Sequence, residues 1–225
     1  MKRNEPSRTA LMIARQRAAH QVLDHGSILC DPFAMKILCE DEREVLQFAN
    51  AHPVASIGRL FTAARSRIAE DALAAAVRGG VRQIVILGAG LDTFGLRSPY
   101  GERPVRIYEV DHPATQGWKR ERLDAAHIPV PAWLVFVPVD FERDDLGEAL
   151  AGAGFARNSP AFFTWLGVVP YLTEEAVGGG RHRDGPRGGS GRLTTYIARD
   201  PARPHADFRP RAPTTRWRRF RLYHG

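Results

Sequence analysis

Gln83-Ile84-Val85-Ile86-Leu87-Gly88-Ala89-Gly90-Leu91-Asp92-Thr93 runs from an apolar stretch into a glycine turn, and Val105-Arg106-Ile107-Tyr108-Glu109-Val110-Asp111 ends on an acid. Two buried parallel strands are the economical reading, one feeding the turn and the next delivering a carboxylate beside it. Glycines let backbone come close to a ligand, and an acid about 20 residues further on can accept both hydroxyls of a ribose. The pair therefore predicts a nucleotide-binding crevice. A plain tight turn in a buried βαβ unit is equally compatible with this motif taken alone.

The spacing argues against a dinucleotide. A pyrophosphate fingerprint needs G-x-G-x-x-G, and Thr93 occupies the third glycine position, with the next glycine only at Gly95. Asp92 adds a negative charge where a pyrophosphate would sit over a helix N-terminus. A cationic ligand such as S-adenosylmethionine, with a ribose, an adenine, a sulfonium and no phosphate, suits an acid-flanked turn better than NAD.

Outward from the turn, the pattern alternates helix and strand. Ser7 or Thr9 can cap a helix over Ala10 to Leu23, and Pro32 in Asp31-Pro32-Phe33 suits a helix's first turn. A helix from about Leu60 to Arg78 carries Phe61, Ala64, Ile68, Ala72 and Ala75 on one face and stops at Gly79-Gly80. Strands follow at Gln83 to Leu87, Val105 to Val110, Leu134 to Asp140 and Ala161 to Gly167, with a crossover helix over Trp118 to Ala126. Right-handed crossovers between parallel strands make this a doubly wound α/β sheet with helices on both faces.

The 225 residues suffice for one such domain, and no apolar run of about 18 residues spans a membrane. No signal core precedes the first helix, and Cys30 and Cys39 lack metal spacing. A reducing, cytoplasmic setting with both cysteines buried as small hydrophobes and no metal site is expected.

The net charge of +7 is not a uniform property. Met1 to Val177 carries 20 Lys and Arg against 22 Asp and Glu, whereas Gly178 to Gly225 carries 12 Arg and three Asp, a net of +9. That segment also holds eight Gly and five Pro, and its composition predicts disorder. Thr173-Glu174-Glu175-Ala176 begins a helix well and meets Gly178-Gly179-Gly180 within one turn. The expected organisation is thus an incomplete domain at 1–177 and an Arg/Gly/Pro-rich tail at 178–225, foreign or out of frame, replacing the last strands. The short run Leu193 to Ala198 is its only further strand pattern.

Six motifs stand in order: Ser7-Arg8-Thr9-Ala10-Leu11, Asp31-Pro32-Phe33-Ala34, Ala64-Arg65-Ser66-Arg67, Leu87 to Thr93, Glu109-Val110-Asp111-His112-Pro113 and Trp165 to Thr173. Together they resemble the leucine carboxyl methyltransferase superfamily, in its bacterial branch of S-adenosylmethionine-dependent methyltransferases abundant in mycobacteria and other actinobacteria. The resemblance covers roughly Ser7 to Val177 and implies a Rossmann-like class I methyltransferase fold with S-adenosyl-L-methionine as cofactor. It implies that the backbone at Gly88 and Gly90 approaches the methionine part, that Asp111 accepts the ribose hydroxyls, and that Asp140 accepts from the adenine amino group. The backbone of Phe141 would meet the ring, and Arg65 would hold the cofactor's carboxylate. The plain alternative for Arg65 and Arg67 is a solvated helix face.

The implied reaction is in-line displacement of the sulfonium methyl by an oxygen of a small-molecule acceptor, with nitrogen or carbon as lesser alternatives, resting mainly on alignment and a closed, dry site. No catalytic base is identified; His20 and His112 read as structural or exposed. The glutamate that the carboxyl methyltransferases proper place five residues before the strand-four tyrosine is Leu166 here, so their substrate does not carry over. Tyr171 suits either the site or the core. Three other readings remain: an NAD-dependent oxidoreductase, a nucleic-acid binder acting through the basic tail, and a catalytically poor fragment that retains cofactor binding. Specific nucleic-acid and membrane partners are not expected. In the fragment reading, strand four or its neighbours would be an exposed edge prone to aggregation.

Overall fold

The computed structural model describes residues 7–51, 55–101, 104–166 and 195–197. At its centre, β1 (Gln83–Leu87), β2 (Arg106–Asp111), β3 (Leu134–Pro138) and β4 (Ala161–Trp165) form a parallel sheet in the order β3-β2-β1-β4. This is the architecture of a Rossmann-like methyltransferase fold, with Leu87 opposite both Val110 and Trp165.

Strand alternation sorts the core into two layers, as the period of two requires. Ile84, Ile86 and Ile107 face one side, under α1 (Arg8–Leu23), α3 (Ala55–Arg78) and α5 (Pro113–Ala125). Val85, Leu87, Tyr108 and Val110 face the other, under α6 (Leu146–Gly152), whose Leu150 is buried. On that second face Phe155 meets Tyr108 and Phe163 edge to face. Two short helices, α2 (Glu42–Asn50) and α4 (Phe94–Arg97), complete the described part.

Local sequence explains where the elements begin and end. Ser7 caps α1 through its hydroxyl and Asp41 caps α2 in a reciprocal capping box with Glu44. His112 caps α5, its Nδ1 accepting the Ala114 amide at 3.2 Å, and Pro113 fills the first helical position. Gly80, at φ +99°, turns the chain from α3 into β1.

Several expectations need correction. Asp31-Pro32-Phe33 opens no α-helix: it forms turns that lead into one 3₁₀ turn, Lys36–Leu38, which ends at Cys39 in the left-handed region. On α3 the buried face is Thr62, Ala63, Ser66, Ala69, Leu73, Ala76 and Val77, whereas Phe61 and Ile68 are exposed. The small side chains win that face because they let the helix pack closely on its neighbours. Cys30 and Cys39 are exposed free thiols, not buried hydrophobes. Of the edge expected at strand four or its neighbours, β4 itself is excluded, since β5 (Thr195–Ile197) pairs with it antiparallel, placing Phe163 opposite Tyr196. These three residues are the only part of the Arg-rich segment within the described residues; the rest, with Gly167 and Tyr171, lies outside them.

Candidate cofactor site

The glycine turn and the acid do meet. Gly88 and Gly90 take positive φ values of +63° and +53°, and the Gly90 amide donates to Asp111 Oδ2 at 2.5 Å. The His112 amide donates to Asp111 Oδ1 at 2.7 Å. Burial pushes the Asp111 carboxyl above the usual aspartate range, with the two amides opposing that shift. An ionised carboxylate offers about four acceptor positions, so two remain beyond these amides.

Asp140 follows two residues after β3. The Val139 amide donates to the Asp111 carbonyl at 2.9 Å, which sets Asp140 beside the end of β2. Its own side chain takes the Glu142 amide at 3.1 Å, and its amide donates to Asp144 at 2.8 Å, so a turn anchors it. Phe141 packs its ring on Trp165, with centroids 6.3 Å apart and nearly parallel planes. Its side chain is thereby committed, which leaves its backbone at the end of β3.

Arg65 lies half-buried on α3. Five residues further along the same helix, Glu70 accepts two hydrogen bonds from Arg97 of α4, at 2.5 and 3.0 Å, which ties α3 to the segment just after the glycine turn. Arg67 has the solvated reading: it is exposed and pairs with Asp71 one turn on. Leu166 is half-buried just past β4.

Both histidines make intramolecular hydrogen bonds, His112 as the cap of α5. His20 is fully buried, bonded to Asp24 through Nδ1 at 2.9 Å and accepting the Ile28 and Leu29 amides at Nε2. Among the described residues no cluster of His, Cys, Asp and Glu could hold a metal ion.

What the sequence did not disclose is a set of buried charges beneath the turn. Arg17 of α1 donates to the Asp92 carboxylate at 3.0 Å and to the Leu91 carbonyl. Lys119 of α5 donates to the Asp92 carbonyl at 2.5 Å and to Glu109 Oε2. Thr93 donates to the buried Asp31 at 2.5 Å. Burial pushes the Asp92 carboxyl up, but the Arg17 and Lys119 charges outweigh it and hold it below the usual range. Asp92 is therefore neutralised within the protein, and the expectation that its charge repels a pyrophosphate fails.

A better discriminator is where the turn's amides go. Ala89 donates to the Val110 carbonyl, Gly90 to Asp111, Asp92 to the Ala89 carbonyl and Phe94 to Asp92 Oδ1. A phosphate-binding turn keeps such donors for its anion. These four are committed to the protein. The signal that could have revealed the buried charges is α5 itself, whose core-facing positions Thr115, Gln116, Lys119 and Leu123 are mostly polar and demand polar partners on the sheet.

Residues 10–179 match the leucine carboxyl methyltransferase family. The chain belongs to that family. Among its relatives is YktD of Bacillus subtilis (strain 168), whose name proposes an S-adenosyl-L-methionine-dependent methyltransferase; it is 36% identical over 198 aligned residues, covering 78% of this chain and 65% of YktD. A Mycolicibacterium paratuberculosis protein whose name proposes the same is 34% identical over 75% of this chain and 57% of its own length. A Mycolicibacterium smegmatis counterpart is 32% identical over 75% of this chain and 56% of its own. This member of the leucine carboxyl methyltransferase family thus spans between about half and two thirds of the relatives it matches. The family match ends at residue 179, beside the change of composition at Gly178.

Proposed function

We propose that this chain binds S-adenosylmethionine at the ends of β1, β2 and β3 as part of a methyltransferase acting on a carboxyl or hydroxyl oxygen of a small molecule. The observation that carries the reading is the Asp111 carboxylate, held against the Gly90 amide at 2.5 Å with acceptor capacity to spare. Family membership and the names of the relatives support the same cofactor.

The residues fit the group. Asp111 would accept the ribose hydroxyls, and Asp140, anchored in its turn, would accept from the adenine amino group beside the Phe141 backbone. Gly88 and Gly90 present backbone without side chains, and Arg65 would meet the cofactor's carboxylate as a bidentate donor. The bound cofactor would supply an electrophilic methyl group on a sulfonium. The chain's part is to align and to exclude water; a carboxylate acceptor requires no base. The committed amides of Ala89, Gly90 and Asp92 disfavour the NAD reading. No helix among the described residues is long and apolar enough to cross a membrane, and the free thiols suit the cytoplasm.

Calorimetry with S-adenosylmethionine on the intact chain and on Asp111→Ala tests the reading. Binding to the first that the substitution abolishes is expected; equal binding by both refutes the role of Asp111. We further infer that the sequence from Gly178 replaces the last third of the domain, leaving cofactor binding with poor turnover. If shifting the reading frame of the coding nucleotides near codon 178 opens no continuation of the strand pattern, that inference is wrong.

A further inference from the structure

We propose that Lys119 is the positioning residue of the cofactor turn: neutralised by Glu109, it holds the Asp92 carbonyl and thereby keeps the Gly90 amide on Asp111. The proposal rests on the reading of that turn as the cofactor site.

Lys119 and Glu109 are 1% and 0% exposed, and the cofactor reading gives neither a contact with ligand. A buried ion pair is weak evidence for stability, because desolvation consumes most of its attraction and apolar side chains of the same volume serve as well or better. Here the pair is less than fully satisfied: Glu109 Oε1 has no hydrogen-bond partner, and burial pushes the Glu109 carboxyl up despite Lys119. The backbone crowds it too, for a Cβ on Gly95 would stand 2.9 Å from Glu109 Oε1. What such an arrangement supplies is geometry.

The geometry converges on the turn. The Asp92 amide donates to the Ala89 carbonyl at 2.8 Å, closing a four-residue turn with Gly90 inside it. Lys119 takes the carbonyl at the exit of this turn from the α5 side, and Arg17 takes the preceding carbonyl, Leu91, from the α1 side. Two cations rooted in different helices thus fix consecutive carbonyls. Gly90 lies two residues before Asp92, and a shift of the exit carries directly to its amide. Glu109 stands two residues before Asp111 on the same strand face, so one ion pair ties the turn to the strand that bears the carboxylate.

The test uses the full chain with Lys119→Met and with the neutral pair Lys119→Met/Glu109→Gln, which leaves no buried charge unpaired at this position. The first readout is the Gly90 amide proton in ¹⁵N–¹H spectra without cofactor, which sits at low field while it donates to a carboxylate. The second is calorimetric affinity for S-adenosylmethionine. Both variants are expected to move the Gly90 proton upfield and to weaken affinity about tenfold, the scale of one hydrogen bond. Leu150→Ala, on the other sheet face, is expected to lower stability and leave both readouts in place. A folded neutral pair with an unmoved Gly90 resonance overturns the proposal, as does loss of folding in both variants, which would assign Lys119 to stability alone. If the unaltered chain binds no S-adenosylmethionine, the functional reading fails, and the Gly90 resonance still decides the positioning role.

Discussion

Gly90→Ala measures how closely α1 covers the glycine turn. At φ +53° Gly90 occupies the left-handed region, which costs a residue with a Cβ about 1–2 kcal/mol. The added methyl would stand 2.9 Å from Ala10 Cβ, against an ordinary carbon contact of about 3.5–4.0 Å, so the first turn of α1 must retreat. Overpacking of this kind costs about 1–3 kcal/mol, and the lower half applies because Ala10 lies near a helix end that can yield. The expected loss is about 2–4 kcal/mol, a fall in Tm of about 5–15 °C for a domain of this size. Urea denaturation of Gly90→Ala, Ala10→Gly and the double variant separates the two contributions. Ala10→Gly alone costs about 1 kcal/mol through helix propensity. It also removes the methyl that clashes, so the double variant should be more stable than the sum of the singles by about 1 kcal/mol. Strict additivity would mean that Ala10 does not lie over the turn, and the account of why this position is glycine would fall.

Three further outcomes are expected. Asp24 receives two hydrogen bonds from Arg59, at 2.6 and 3.0 Å, which hold its carboxyl down to about 2. A folded pKa below the unfolded one stabilises above about pH 4 and loses its effect as pH falls toward 2, so Asp24→Asn should flatten the acid limb of a urea-midpoint profile by about 1–2 kcal/mol after solvent screening. The Asp111 carboxyl is raised by burial, and ribose hydroxyls require its charged form; calorimetric affinity for S-adenosylmethionine should therefore begin to fall at a higher pH than an ordinary aspartate would give, a dependence that Asp24→Asn leaves in place. Cys30 and Cys39 are exposed, so both should react with a thiol reagent in the folded chain without prior unfolding, and a slow reaction limited by unfolding would contradict their placement.

The strands were legible because apolar runs bounded by turn residues have few other solutions. β1 spans the expected residues, and β2 is displaced by one, Arg106–Asp111 in place of Val105 to Val110, because Asp111 still pairs with β3. The meeting of Gly90 and Asp111 followed from that register. The periodicity of α3 does not say which of two stripes turns inward: Ala63, Ser66 and Ala69 are buried and Phe61 and Ile68 exposed, because the face is chosen by how the helix docks. The ion pairs Arg17–Asp92 and Lys119–Glu109 join residues 75 and 10 positions apart, and their partners are chosen by how helices dock on the sheet, which no local pattern encodes. The same docking gave Asp92 its counterions and removed the electrostatic argument built on it.

The strand order has a kinetic consequence. Because β1, β2 and β3 lie side by side in chain order, Gly90, Asp111 and Asp140 come from consecutive strands. Pairing Gln83 with Arg106 closes a loop of 23 residues, whereas pairing Gln83 with Ala161 closes one of 78. The longer closure costs about 1 kcal/mol more in chain entropy. Local pairings of this kind form faster, so the two carboxylates and the glycine turn can be assembled during folding before β4 arrives on the far side of β1.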